Sequence, residues 1–158
     1  MSTNNYSGNE IYEASRTAGR AIVRLARQVE RALDSVDLSV PQFRILGLLA
    51  EGAAGASLLA AKLAVSPPSI TTVVDGLVAR GLIERGLDSS DRRRLPLLLT
   101  AKGMAALREA DAAVADRLGA IAASGDDAEE ATAAIEGLRS CHGALDAFRD
   151  ARTLGVGS

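Results

Sequence analysis

Apolar residues return every three or four positions through residues 9–35. Ile11, Ala18, Ile22, Leu25, Val29 and Leu33 lie on one side, and Arg16, Arg20, Arg24, Arg27 and Arg31 lie on the other. That period is helical, so a long amphipathic helix is expected there. Ser39-Val40-Pro41-Gln42 then places a capping serine, a first-turn proline and a glutamine three residues on, which is how a helix starts. This second helix is expected to reach Ala50 and to break across residues 51–55. Ser57 opens a short helix from Leu58 to Ala64. Ser66-Pro67-Pro68-Ser69 opens another that ends at Gly81, a glycine placed to close a helix. Leu82 to Leu87 and Leu95 to Leu99 read as two strands, with the polar residues 88–94 as the hairpin tip between them. Pro96 needs an edge position, because it cannot donate to a ladder.

Two helical patterns follow. Thr100 caps a helix over 101–123, with Met104, Leu107, Val114, Leu118 and Ile121 on its apolar side. Asp126-x-x-Glu129 caps a last one reaching Arg152, with Ala131, Ile135, Leu138, Cys141, Leu145 and Phe148 on its apolar side. Four aromatic residues among 158 suit helix better than sheet.

Composition narrows the class. A single cysteine excludes a disulfide framework and argues for a reducing compartment. The polar N-terminus has no apolar core of a secretion signal, and no apolar run approaches the roughly 20 residues that span a bilayer. The expectation is a cytoplasmic protein without a membrane partner. The net charge is −2, which is not the basic balance of a typical nucleic-acid binder. Its distribution matters more. Residues 101–158 carry six basic against ten acidic side chains, whereas Arg85, Arg92, Arg93 and Arg94 face only Asp88 and Asp91 within residues 85–94. The base is concentrated in one short segment, where it can meet phosphate.

Two short helices joined by a tight turn, then a hairpin with a basic tip, make a winged helix-turn-helix. Its second helix must bury one face and present a narrow one to the major groove. Ile70, Val73, Val74 and Leu77 supply the buried face. Pro68, Ser69, Thr72, Asp75, Gly76 and Ala79 lie opposite, with Thr71 at the margin, and all are short.

From Leu38 to Gly103 the sequence resembles the MarR family of bacterial regulators. The resemblance is carried by Leu38-x-x-x-Gln42 and by Leu58-Leu59-Ala60-x-x-Leu63-x-Val65-Ser66. Further on come Ser69-Ile70-Thr71-x-x-Val74-Asp75-x-Leu77, Gly81-Leu82-Ile83-x-Arg85, Asp91-Arg92-Arg93 and Leu99-Thr100-x-x-Gly103. It implies that Arg93 enters the minor groove, that Asp91 orients the wing tip, and that Arg92 and Arg94 reach phosphates. The recognition positions map to Ser66, Pro67, Pro68, Ser69, Thr71 and Thr72, with Arg85 beside them. The same resemblance implies a homodimer held by the terminal helices. It also implies a small aromatic or anionic effector bound between the first helix, the helix at 41–50 and the start of the helix at 101, with Arg16, Arg20, Arg44 and Met104 as lining candidates.

Two departures stand out. Many members carry a long polar or basic side chain at the positions of Thr72 and Gly76, and this chain does not. Bidentate base contacts are then unavailable there. Readout is expected to lean on thymine methyls touched by Pro67, Pro68 and the threonines, and on Arg93 sensing groove width. Asp75 near phosphate needs neutralising, by Arg85 or Arg92.

The arginine stripe at 16–31 reads first as a solvated helix face. Thiol sensors of the family carry their cysteine in the first helix, so Cys141 is expected to be a small core residue. His142 alone is no metal site. No phosphate loop, H-E-x-x-H or nucleophile elbow is present, so neither an enzyme nor a cofactor is expected. The expected fold is mainly α with a small β-hairpin wing. Residues 1–35 form an N-terminal dimerisation helix, 36–100 the winged helix-turn-helix DNA-binding lobe, and 101–158 the C-terminal dimerisation helices. The expected function is a repressor that binds double-stranded DNA. The alternatives are a helical ligand- or protein-binding dimer that no longer binds DNA, and a sequence-tolerant architectural protein.

Overall fold

The computed structural model describes residues 8–53, 55–86, 96–125 and 127–154. Their elements are α1 (Gly8–Asp34), α2 (Val40–Ala50), α3 (Ala56–Leu63), α4 (Pro67–Ala79), β1 (Ile83–Arg85), β2 (Leu97–Leu99), α5 (Ala101–Ala123) and α6 (Ala128–Leu154). The residues group into two units, Met1–Val114 and Ala115–Ser158. Among the described residues no single helix is long and apolar enough to cross a membrane.

One device closes the first four helices. Asp37, Gly52, Ala64 and Gly81 each follow a helix with positive φ. The next residue then donates its N–H back across the last turn: Leu38 to Leu33, Ala53 to Leu48, Val65 to Ala60 and Leu82 to Leu77. This closure satisfies carbonyls that a helix end would otherwise leave open, and it turns the chain sharply. Three of the four residues after the turn (Leu38, Ala53 and Leu82) are buried, so each turn also feeds an apolar side chain to the core. Glycine is the cheap choice there, and Gly81 fills the role that its sequence position suggested.

The core of the first unit joins the end of α1 (Leu33), α2 (Ile45, Leu46, Leu49), α3 (Leu59, Leu63), α4 (Ile70, Val74, Leu77), the two strands (Ile83, Leu97) and the first half of α5 (Leu107, Ala110). No polar or charged described residue is buried. Hydrophobic burial therefore holds this unit without buried ionic groups to satisfy. Ser39 caps α2 as its spacing requires: its hydroxyl accepts from the Gln42 amide, and the Gln42 side chain accepts from the Ser39 amide. Thr100 serves α5 likewise, accepting from the Gly103 amide at 3.0 Å. The strands pair antiparallel, Ile83 with Leu99 and Arg85 with Leu97, and Gly86 donates to the Pro96 carbonyl at 2.7 Å.

Several expectations need correcting. α3 starts at Ala56 after an extended Gly55, not at Ser57, and it makes no side-chain cap. Asp127 accepts from the Glu130 amide at 2.9 Å at the start of α6; Asp126, the cap expected from the spacing, lies outside the described residues. Along the apolar stripe of α1, Leu33 at the end is inside while Ile22 is exposed. Cys141 is exposed, not a core residue. Leu138, Leu145 and Phe148 on the same side of α6 are exposed too, so the apolar stripe read from the sequence exists but is not covered within its own unit.

Candidate nucleic-acid interface

α3 and α4 are joined by two residues, Val65 and Ser66, after the left-handed Ala64. So short a link fixes the angle between the two helices. Pro67 and Pro68 open α4, where a missing N–H costs nothing because the first turn has no acceptor for it. Ile70, Val74 and Leu77 are buried and Val73 is half-buried. Pro68, Ser69, Thr71, Thr72, Asp75 and Ala79 are exposed on the remaining surface. The helix thus presents the short-sided face that entry into a groove requires.

The polar groups on that face are largely engaged with one another. Ser66 stands at the N-cap position but makes no bond to the helix backbone. Its hydroxyl lies 2.9 Å from that of Ser69 instead. The Thr72 hydroxyl donates to the Pro68 carbonyl at 3.3 Å, which occupies its donor and leaves the methyl as its apolar feature. Asp75 pairs with Arg85 on β1 at 2.5 Å, so Arg85, one of its two candidate partners, neutralises this acid. The pair also ties the outer face of α4 to the first strand of the hairpin. Gly76 has no atom within 4 Å of where a Cβ would stand, so the fold itself does not demand glycine there.

Asp91, Arg92, Arg93 and Arg94 lie outside the described residues. On either side of them in sequence, β1 and β2 pair, and the pairing is described as far as Gly86 and Pro96. Of the effector-site candidates, Arg16 bonds to Glu13 at 3.0 Å, Arg20 and Arg44 are exposed, and Met104 is half-buried. Among the described residues no hydrogen bond or ion pair joins any two of these four, and no group of acidic, cysteine or histidine side chains could hold a metal ion.

One residue of this region escaped the sequence reading. Arg80, the C-cap residue that follows α4, reaches Asp37 and Gln42, which lie 43 and 38 positions away. Periodicity reports which face of a helix is buried, not which distant loop a terminal side chain meets, so the sequence carries no signal for it.

Comparison with known proteins follows this geometry. The model of the MarR family matches residues 36–94. A curated relative, the HTH-type transcriptional repressor Rv2887 of Mycobacterium tuberculosis, is 34% identical over 91 residues, which is 57% of this chain and 66% of the relative. The chain therefore aligns with just under two thirds of that relative's length. The structure of the M. tuberculosis MarR family protein Rv2887 in complex with p-aminosalicylic acid superposes with a TM-score of 0.64 at 26% identity, covering 81% of this chain and 97% of that one. CouR from Rhodococcus jostii, solved bound to p-coumaroyl-CoA, gives a TM-score of 0.60 at 26% identity, covering 90% and 95%.

Proposed function

The chain belongs to the MarR family, and from that premise we propose that it is a cytoplasmic transcription repressor and not an enzyme. It binds a pseudo-palindromic operator as a homodimer and releases it on binding a small aromatic or anionic effector. The observation that carries this reading is the outer face of α4. It is exposed, built of short side chains, and its one acid is neutralised by Arg85. A face so arranged can approach base edges without repelling phosphate.

Ser66, Pro67, Pro68, Ser69, Thr71 and Thr72 take the major groove. Arg93 takes the minor groove, while Arg92 and Arg94 take phosphates. Because the exposed side chains of α4 are short and its carboxylate is paired with Arg85, methyl contacts and groove shape carry more of the specificity than bidentate hydrogen bonds. The exposed apolar stripe of α6 is a suitable surface for the partner subunit. Arg16, Arg20, Arg44 and Met104 are the proposed effector contacts. The solved relatives bound to p-aminosalicylic acid and p-coumaroyl-CoA favour an aromatic acid or its thioester.

Selection of bound duplexes from a random pool tests the reading. The expected product is a pseudo-palindrome whose half-sites lie one helical turn apart, about 10–10.5 base pairs centre to centre, or a multiple of it. Thymines should be enriched where α4 lies. A pool that gains no shared sequence, or gains a single unpaired site, overturns it.

A further inference from the structure

We propose that Arg80 is a positioning residue: it ties the end of α4 to the α1–α2 turn and so sets the angle at which the outer face of α4 meets DNA, without itself touching DNA. The proposal rests on the DNA-binding reading above.

Four chain segments converge on this residue. Its Nη2 donates to Asp37 Oδ2 at 2.9 Å and its Nη1 to Gln42 Oε1 at 3.5 Å. The same Gln42 oxygen accepts from the Ser39 amide at 2.9 Å, so Arg80 is joined to the cap that starts α2. Asp37 is itself the left-handed residue that closes α1. The Arg80 carbonyl accepts from Lys102 Nζ at 2.7 Å, in the first turn of α5.

These contacts contribute little to folding stability. The Asp37 side chain is 94% exposed and that of Arg80 34%, and ion pairs this open to water are weak. The end of α4 is already satisfied by its own backbone, through Gly81 to Val78 and Leu82 to Leu77. What Arg80 adds is direction. A planar guanidinium held by acceptors from two segments resists a swing of the helix end in a way that one flexible contact does not. The lever is long. Ser69 lies eleven residues from Arg80, about 16 Å along the axis. A swing of about 10° at Arg80 would therefore move Ser69 by roughly 3 Å, more than the tolerance of a van der Waals or hydrogen-bond contact.

The test measures operator affinity of the full chain at several salt concentrations, together with Tm, for Arg80→Ala, Asp37→Asn, the double variant and Arg80→Lys. Arg80→Ala should lose roughly fivefold in affinity, and Asp37→Asn, which keeps an accepting oxygen but loses the charge, roughly two- to threefold; the double variant should lose no more than Arg80→Ala, because both act on one shared contact. The slope of log K against log salt should match the parent, and Tm should stay within about 4 °C of it. Arg80→Lys, which keeps the charge and loses the fork, should fall between. Unchanged affinity in Arg80→Ala overturns the proposal. So does a slope shallower by about 0.9, which marks a lost phosphate contact, and so does an Asp37→Asn variant that binds as the parent does. A parent chain that binds no duplex removes the DNA-binding reading and this proposal together; a parent that binds beside an unaffected Arg80→Ala removes this proposal alone.

Discussion

Replacing Gly103 by alanine is expected to lower stability by about 3 kcal/mol, the upper part of the range for overpacking a filled site. For a chain of this length that is a fall in Tm of roughly 6–12 °C. An added Cβ would stand 1.9 Å from the Leu82 carbonyl oxygen, 2.9 Å from its carbon and 2.8 Å from Leu99 Cδ1. The first two are backbone atoms, and that carbonyl cannot simply retreat. It accepts from both the amide and the hydroxyl of Thr100, while the Leu82 amide is committed to Leu77 in the turn that closes α4. Relief would require α5 to shift away from the hairpin or the end of α4 to open. The proper control is Gly76→Ala. It also adds one methyl to a helix, but at a position with nothing within 4 Å. There the gain in helix propensity should leave stability unchanged or slightly higher. Equal Tm values for the two variants would contradict the packing described here.

Arg93→Ala should cost operator affinity about 1–3 kcal/mol, or roughly five- to 150-fold, while Tm hardly moves. The side chains on the outer face of α4 are short: the Ser66 and Ser69 hydroxyls share one hydrogen bond, the Thr72 hydroxyl donates to the Pro68 carbonyl and Asp75 is paired with Arg85, so that face carries no long donor to hold a base. Arg93 is the wing residue that the family resemblance places in the minor groove, where narrow A·T-rich segments attract arginine. The loss should be largest on operators with such segments beside the half-sites. Fluorescence anisotropy with the selected operator and a flank-scrambled copy would measure it, and equal affinities for Arg93→Ala and the parent on both would refute the role.

Much of the fold was legible because local chemistry and tertiary packing agree. Ser39 to Gln42 is a capping box in sequence and in structure, and Gly81 closes α4 from the position at which a helix-ending glycine is expected. The α4 face of Ile70, Val74 and Leu77 is buried as its spacing indicates. Misreadings occurred where two neighbouring residues could each play the part. Ser57 looked like a cap, yet Gly55 is extended and α3 begins at Ala56, two residues before Leu58; Asp127, beside the expected Asp126, accepts from the Glu130 amide. Ser66 has the right place for a cap but bonds to Ser69, because a hydroxyl of comparable reach competes with the backbone. Cys141 shows another limit. A periodic pattern reveals that a helix face is apolar, not whether its own chain or a second molecule covers it. Arg80 was invisible for a related reason, since its partners are set by how the ends of α1, α2 and α4 meet in space.

The central claim, that this chain reads operator DNA through α4 and the wing, is tested most directly by titrating it against duplexes from its own upstream region and against unrelated duplexes at two salt concentrations. The account predicts that an upstream segment binds at least about a thousandfold more tightly than unrelated DNA. It also predicts that affinity for both falls steeply as salt rises, because phosphate contacts from Arg92 and Arg94 release counterions. Equal affinity for all duplexes, or no binding at the lower salt, would contradict it.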